Sequence, residues 1–404
     1  MSTHRIHLQD SRCFDFDAAV VTSSNVGGRP SLVLDRTAFY AEGGGQLGDR
    51  GVLEVGGGSV TVVDTQMVED VVHHVLAEPV DVGAGAAATG RLDREHRLGQ
   101  MAEHTAQHML SEALVRWGGA NTASSRLGER STTLDLDRLD VSADALAECE
   151  ERVNAVIRED RPIRVHFPTA EELAEMSLRS RPKVTEDVRV VEVDGFDWTP
   201  CGGTHCTNTA QVGLVRVVGT EKWGGGLRVR FVAGRHALDD YRTKDGVLGR
   251  LAAKFTCGVT DVPAAIAKLQ AGAKATQQAL GAARKELVTL VADTALATHP
   301  ESAATPVLLV RPHDDVATIR ALSVRLSARP DVFGFVVCRE GDGWLFAARH
   351  GDAVAFDLGG FVRGPLATHG ARGGGRSPAA QGRFTGTPDW DAVRNAMAGA
   401  LVSG

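Results

Sequence analysis

His104-Thr105-Ala106-Gln107-His108 sits midway along a helical pattern from about Asp93 to Trp117, with Leu98, Met101, Met109, Ala113 and Leu114 as its expected buried positions. Two imidazoles four residues apart leave one face of a helix about a turn apart and can share a metal ion. Far downstream, Thr199-Pro200-Cys201-Gly202-Gly203-Thr204-His205 offers a thiolate and a further imidazole on a glycine-rich turn. Together His104, His108, Cys201 and His205 form a borderline-soft tetrahedral donor set suited to Zn2+. Each pair alone has a blander reading. A His pair at this spacing arises by chance on amphipathic helices, the Cys-His pair is less specific still, and either could hold a structural ion without catalysis. Cys206, beside the turn, reads either as a competing ligand or as a small buried thiol.

Working outward, the first ninety residues carry short β-like runs (Leu32–Leu34, Val60–Val63, Val71–Val72) between glycine-rich turns, the pattern of a small β-barrel. The stretch Ala84–Ala88 looks like the crossing into a second domain. After the metal helix come a second helix at Ala143–Glu159 and strand-like segments near Ile163–Phe167, Val188–Val193, Gly213–Val218 and Leu227–Val232. From 261 to 297, Ile266, Leu269, Ala273, Thr276, Leu280, Ala283, Leu287, Leu290, Thr294 and Ala297 recur at spacings of 3 and 4. That seam predicts a helix with Asp261 as N-cap and Pro263 in its first turn. It serves either antiparallel packing on a neighbouring helix or a dimeric coiled coil. The last hundred residues restart an α/β pattern, with strands at Val307–Val310 and Val332–Val337 and a helix near Val316–Ser327. The expected architecture is α+β. It comprises an N-terminal glycine-rich β-barrel domain (1–90), an α+β zinc-containing domain (91–235), a helical linker (236–299) and a C-terminal α/β domain (300–404).

Composition limits the function. The chain has 404 residues, 43% of them hydrophobic, with 44 Lys+Arg against 51 Asp+Glu and a net charge of −7. A uniformly basic nucleic-acid binder is excluded, but a local basic face is not. No apolar run reaches the roughly 18–20 residues that span a bilayer, and the first residues lack the apolar stretch of a signal peptide. Six scattered cysteines suit a reducing cytoplasm better than a disulfide scaffold. Between Asp357 and Asp389 there is no acidic residue, while Arg363, Arg372, Arg376 and Arg383 punctuate a glycine-rich segment. This is either a solvated loop or the basic patch that the overall charge conceals.

The two metal motifs, taken in order with other pieces, resemble the alanyl-tRNA editing proteins and the editing domain of alanyl-tRNA synthetase. Phe39-Tyr40-Ala41-Glu42-Gly43-Gly44-Gly45-Gln46-Leu47-Gly48-Asp49 is similar to the family's glycine-rich loop, where proline is more usual at Ala41 and Leu47. Leu92–Arg97 resembles the approach to the metal helix, Leu178–Val184 the basic link before the cysteine turn, and Leu227–Gly234 the closing segment. Gly373–Gly382 resembles the glycine-rich signature of the synthetase's C-terminal domain, without the usual acidic residue before its Ala-Gln. The resemblance covers nearly the whole chain, and the long free-standing editing proteins are the closest shape. No aminoacylation domain precedes these motifs, so the chain is not expected to charge tRNA.

The resemblance implies a zinc-dependent deacylase that hydrolyses the ester of a mischarged tRNA in trans, with His205 as a candidate labile ligand. Gln46 and the amides of Gly43, Gly44 and Gly45 could bind the terminal nucleotide, or the stretch could be a tight β-turn. Thr105, Gln107, Ser125 and Arg126 are weaker candidates for substrate or 3′-end contacts, and the four C-terminal arginines for the tRNA body. The family's usual targets are serine and glycine on alanine tRNA, while a specialised branch removes fluorothreonine from threonine tRNA. Relatives place an aromatic and a histidine just before the Leu-Gly that follows the metal helix, where this chain reads Ala123-Ser124-Ser125-Arg126-Leu127-Gly128, which leaves the substrate open. A non-catalytic tRNA-binding protein with structural zinc, and a metallohydrolase of small esters, are the competing readings.

Overall fold

A computed structural model describes residues 3–182, 187–299, 304–355 and 357–403. Lys183 and Val184 of the basic link, and the expected start of the C-terminal domain at 300, lie outside the described residues. The chain is mixed α+β and divides into two compact units, Met1–Leu251 and Ala252–Gly404.

The first unit opens with β1 (His4–Arg5), β2 (Asp15–Val26), β3 (Arg29–Leu34), β4 (Arg36–Thr37), β5 (Gly51–Val55), β6 (Gly58–Val68), β7 (Val71–Leu76) and β8 (Ala87–Leu92). Six of these close a barrel in the order β2-β3-β7-β6-β5-β8. Alternation along the strands turns Leu32, Leu34, Leu53, Val55, Val60 and Val62 inward, so closure buries one face and leaves no free edge. β8, which runs on from Ala84–Ala88, supplies the closing strand. Then follow α1 (Arg94–Ala113), β9 (Thr122–Leu127), β10 (Thr132–Leu136), α2 (Ala143–Arg158), β11 (Ile163–His166), α3 (Ala170–Glu175), β12 (Val190–Val193), β13 (Asp197–Pro200), β14 (Val215–Trp223) and β15 (Gly226–Ala233). A four-stranded sheet, β14-β15-β10-β9, and a three-stranded one, β11-β12-β13, share an apolar core with α1 and α2. Two helices, α4 (Gly234–Phe255) and α5 (Val262–Ala297), lead on.

The second unit adds β16 (Thr305–Val310), α6 (Val316–Leu326), β17 (Val332–Glu340), β18 (Gly343–His350), α7 (Leu358–Arg363), β19 (Ala371–Arg376), β20 (Ala379–Phe384) and α8 (Trp390–Ser403) around a five-stranded sheet, β16-β17-β18-β20-β19. Asp261 is the N-cap of α5 and Pro263 stands in its first turn, although the Asp261 side chain makes no capping bond. Two local expectations change. α5 packs through Val288 and Ala292, flanked by Val291, Ala295 and Leu296, in the core shared with α6. That stripe lies about one residue off the expected seam, so Leu269, Leu280 and Leu290 remain 61%, 59% and 67% exposed. The glycine-rich segment at 371–376 is an edge strand rather than a loop, because Gly373 and Gly375 allow close approach to β20.

Candidate metal centre

α1 begins at Asp93, whose carboxylate accepts from the His96 amide. The helix is unusual in burying polar groups: Arg97, Gln100, Glu103, His104, Thr105, Gln107, His108 and Ser111 are all inside. Such groups are tolerable only when partnered, and most are tied to other elements. Arg97, fully buried, pairs with Asp49 and donates to the carbonyls of Ala38 and Ser11. It thereby fastens the end of the 39–49 loop to the helix. Asp49 also accepts from the Tyr40 amide at 2.6 Å. Glu103 accepts from Thr132 Oγ1 at 2.7 Å, the Ala233 amide at 2.8 Å and His236 Nδ1 at 3.0 Å. This binds α1 to the four-stranded sheet and to the start of α4.

The second half of the centre is the turn after β13. Pro200 ends the strand, and Gly203 passes so close that a Cβ there would lie 2.2 Å from His104 Cε1 and 2.8 Å from Gln46 Oε1. Arg189, buried just before β12, clamps the turn by donating to the carbonyls of Cys201 (2.6 Å), Gly203 (3.0 Å) and Leu8 (2.8 Å).

These elements bring His104, His108, Cys201 and His205 together, one ligand atom from each lying within 4.8 Å of all the others. A tetrahedral ion with bonds of about 2.3 Å to sulfur and about 2.05 Å to nitrogen sets those atoms about 3.5 Å apart. Cys201 Sγ lies 3.5 Å from His104 Nε2 and 3.3 Å from His205 Nε2. The donor set and its spacing therefore fit zinc. Outside the set, each imidazole meets a partner on its far side. His104 Nδ1 faces Gln46 Oε1 at 2.8 Å, His205 Nδ1 faces Thr105 Oγ1 at 3.3 Å, and His108 Nδ1 is 3.5 Å from Asp197 Oδ2. Partners of this kind select the tautomer that leaves Nε2 free for metal.

The charges agree. Burial would raise the Cys201 thiol, but the imidazoles of His104, His205 and His108 outweigh it and hold the thiol well below its usual range. Burial, reinforced by His104, lowers His205 and keeps it a neutral donor. Burial pulls His108 down as well, but Cys201 and Asp197 overcome it and raise this imidazole. Asp197 is pushed up by burial, yet His108 and Arg179 bring its carboxyl down to about 2. Arg179 Nε sits 3.0 Å from it, and Thr199 Oγ1 donates at 2.9 Å. A thiol whose proton is easily lost, beside a neutral imidazole at His205, suits a divalent cation, which would displace the proton that His108 attracts.

The remaining candidates are dispersed. Gly43–Gln46 is a tight turn, with Gly44 and Gly45 at φ +60° and +90° and the Gly43 and Gln46 backbones bonded to each other. Gln46 is fully buried; besides facing His104 it donates to Thr204 Oγ1 at 2.8 Å and accepts from the Thr204 amide at 3.0 Å. Thr105 Oγ1 also accepts from the Cys206 amide at 3.1 Å, while Gln107 donates to Ser111 at 3.0 Å. Ser125 and Arg126 lie on β9, whose Leu127 amide bonds the Gly45 carbonyl at 2.7 Å. In the second unit, Arg363 is on α7, Arg372 and Arg376 on β19 and Arg383 on β20, all exposed, with Arg372 directly across from Arg383. Sequence reasoning missed Asp197 and Arg189. The available signal was an acid between Phe196 and Trp198, on the same inward alternation as Thr199 in a strand that leads to a ligand.

Residues 12–96 match the family model described as tRNA synthetases class II (A), and residues 188–229 match that of the threonyl and alanyl tRNA synthetase second additional domain. The alanine–tRNA ligase of Ignicoccus hospitalis is 32% identical over 294 residues, which are 71% of this chain and 32% of the ligase. For the ligase of a Synechococcus strain the figures are 34% over 288 residues, 68% and 32%. For that of Methanopyrus kandleri they are 35% over 248 residues, 59% and 27%. The chain thus spans about a third of the length of these relatives. Among solved structures, the C-Ala domain of the Aquifex aeolicus alanyl-tRNA synthetase matches 25% of this chain and 90% of that domain, at 20% identity and a TM-score of 0.22. The matched segments, one of which contains Cys201 and His205, define a tRNA-synthetase-related class of protein. Within that class, the chain belongs to the alanyl-tRNA editing family.

Proposed function

We propose that the chain is a trans-editing aminoacyl-tRNA deacylase, which hydrolyses the ester of a mischarged aminoacyl-tRNA in a zinc-dependent reaction. The observation that carries this reading is the convergence of His104, His108, Cys201 and His205, with a polar side chain facing each imidazole from behind, in a chain of the editing family. Zinc, when bound, supplies Lewis acidity toward the ester carbonyl and lowers the pKa of a bound water. The chain's own residues prepare the place. The neighbouring imidazoles hold the Cys201 thiol well below its usual range, Gln46 and Asp197 face two imidazoles from behind, and Arg189 fixes the turn. His205, beside the Gly202-Gly203 turn and faced from behind by Thr105 at 3.3 Å, is the proposed labile ligand.

Serine or glycine on alanine tRNA is the proposed substrate. Fluorothreonine on threonine tRNA is the second reading, left open by the stretch Ala123-Ser124-Ser125-Arg126, which would make the pocket more open or more polar. The exposed arginines of β19 and β20 would contact the tRNA body, and the exposed leucines of α5 would serve self-association. The test is a deacylation panel of seryl-, glycyl-, threonyl- and fluorothreonyl-tRNA, each on its natural tRNA, with wild type and Cys201→Ala. Wild type should clear one member, and the variant should clear none while still binding tRNA. Equal turnover by the variant would exclude the zinc mechanism, and retained binding without turnover by wild type would leave a non-catalytic tRNA-binding protein.

A further inference from the structure

The four-stranded sheet β14-β15-β10-β9 has two unlike faces. One turns Val229, Phe231 and Leu134 into the core beneath α1 and α2. On the other, the register sets Arg230, Thr133 and Arg126 in one row and Glu221, Arg228, Asp135 and Ser124 in the next. Trp223 ends this face where β14 meets the Gly224-Gly225 turn, and it is 52% exposed.

This face is built rather than merely left open. Asp135 grips Arg228 at 2.6 and 3.0 Å, and the Arg228 guanidinium lies 3.6 Å from the Trp223 ring centroid. One side of the indole is therefore covered by a fixed cation, and the half-exposed residue leaves ring surface that could receive a flat base. Both carboxylates of the face are committed, Asp135 to Arg228 and Glu221 to Arg230. Arg126 is exposed and has no ion pair among the described residues. Arg228 and Arg230 are thus balanced by the face's two carboxylates, and Arg126 at its edge leaves one positive charge over. That edge is β9, whose Leu127 amide holds Gly45, the neighbour of the glutamine behind His104. From β14 to β9 the face spans three strand spacings, about 14 Å.

We propose that this face leads the unpaired 3′ strand of an RNA toward the metal centre, with a base stacked on the exposed ring surface of Trp223 and a phosphate at Arg126. An aromatic with exposed ring surface, backed by an arginine and flanked by unneutralised positive charge, recognises a single strand through stacking and phosphate contacts. The proposal rests on the reading that the substrate is an aminoacyl-tRNA, and it adds where the strand lies.

The test uses the full chain, with a labelled single-stranded RNA ending in CCA and a blunt RNA hairpin of matched composition. Trp223→Ala should weaken binding of the single strand by about 5- to 100-fold, and Trp223→Phe should restore most of it. Arg126→Ala should reduce the salt dependence of binding by about one phosphate contact. In deacylation, Trp223→Ala should raise KM far more than it lowers kcat. A correctly folded Trp223→Ala that binds the single strand as tightly as wild type overturns the proposal, and so does a Trp223-dependent preference for the blunt hairpin. If turnover needs Cys201 while the Trp223 and Arg126 variants leave KM and affinity unchanged, the platform fails and the deacylase reading stands. If no aminoacyl-tRNA is cleaved yet strand binding depends on Trp223, the deacylase reading fails and the platform stands.

Discussion

Gly43-Gly44-Gly45-Gln46 and Gly373-Gly374-Gly375-Arg376 are written in nearly the same letters and fold into unlike things. The first is a tight turn in which Gly44 and Gly45 take positive φ, and its Gln46 is delivered, fully buried, to His104 of the candidate metal centre. The second is an extended edge strand, and its Arg376 points to solvent. In the turn, glycine is needed for backbone conformation and for contact with β9, since a Cβ on Gly45 would lie 2.4 Å from the Ser125 carbonyl oxygen. In the strand it is needed for the approach to the partner. A Cβ on Gly373 would lie 2.4 Å from the Gln381 carbonyl oxygen, and one on Gly375 2.3 Å from that of Ala379. The same residue type thus answers two demands, and only the first brings a side chain to the candidate metal centre.

The sharpest way to break this comparison is Gly45→Ala. It combines a left-handed backbone position with a backbone clash, so destabilisation of about 3 kcal/mol or more is expected, together with loss of the Gln46–His104 contact. Gly373→Ala meets a similar clash at a sheet edge that can shift, and should cost less and leave zinc binding untouched. Denaturant unfolding and zinc titration of both variants check this. A Gly45→Ala protein as stable and as zinc-avid as Gly373→Ala would show that the turn does not govern the centre.

Acid should separate the two stretches next. The turn hangs from Thr37, whose Oγ1 accepts from the Phe39 amide at 3.1 Å and bonds His74 Nε2 at 2.8 Å. Burial lowers His74 to about 4 despite its bond to the Leu32 carbonyl. The neutral ring is favoured in the fold, so its stabilising share is fully present above the unfolded value near 6.5. It is lost as pH falls from there to about 4, a change on the order of 3 kcal/mol. The strand Ala371–Arg376 carries no histidine and no carboxylate. Metal-free protein should therefore lose the barrel unit's stability over this window, and His74→Gln should flatten the loss. If unfolding free energies at pH 7 and pH 5 differ equally in wild type and His74→Gln, this account of the turn's support is wrong.

Much of the centre was legible before any coordinates. His104 and His108 declare themselves by spacing, and Cys201 and His205 by their glycine-bearing turn, because metal ligands must be particular residue types on particular backbones. The barrel strands show because their alternation is regular. What was not legible is whatever depends on a neighbour distant in sequence. Gln46 could be read as a nucleotide contact or as part of a turn, but its approach to His104 is a tertiary fact. Asp197 is one acid among many until β13 is placed beside α1. On α5 the apolar seam was evident, yet the stripe that packs lies beside it, since alanines and valines on adjacent faces offer nearly equal surfaces.

Gln46→Ala tests that tertiary fact at moderate cost. Losing the group behind a metal ligand typically lowers metal affinity about 10- to 100-fold. The loss should appear in a competitive zinc titration while the fold, read by unfolding midpoint, falls by much less than for Gly45→Ala. Gln46→Glu, which keeps an acceptor for His104 Nδ1, should recover part of the affinity. An unchanged zinc affinity in Gln46→Ala would reduce the turn to a purely structural one and make the two glycine stretches more alike than they look.

The smallest expected effect is the most discriminating for the strand. Gly374 lies between Arg372 and Arg376 on the same face, opposite Gln381, and a Cβ there would meet nothing within 4 Å. Its backbone does not need positive φ. Neither demand that explains the other glycines therefore applies, and Gly374→Ala should leave stability unchanged or raise it by about 0.5 kcal/mol through the less flexible unfolded chain. Thermal or denaturant unfolding at neutral pH decides it. Destabilisation beyond about 1 kcal/mol would mean that the strand's glycines act as one structural unit. Neutrality would mean that nothing inside the fold requires Gly374, so that any requirement for it must come from whatever lies against the exposed arginines.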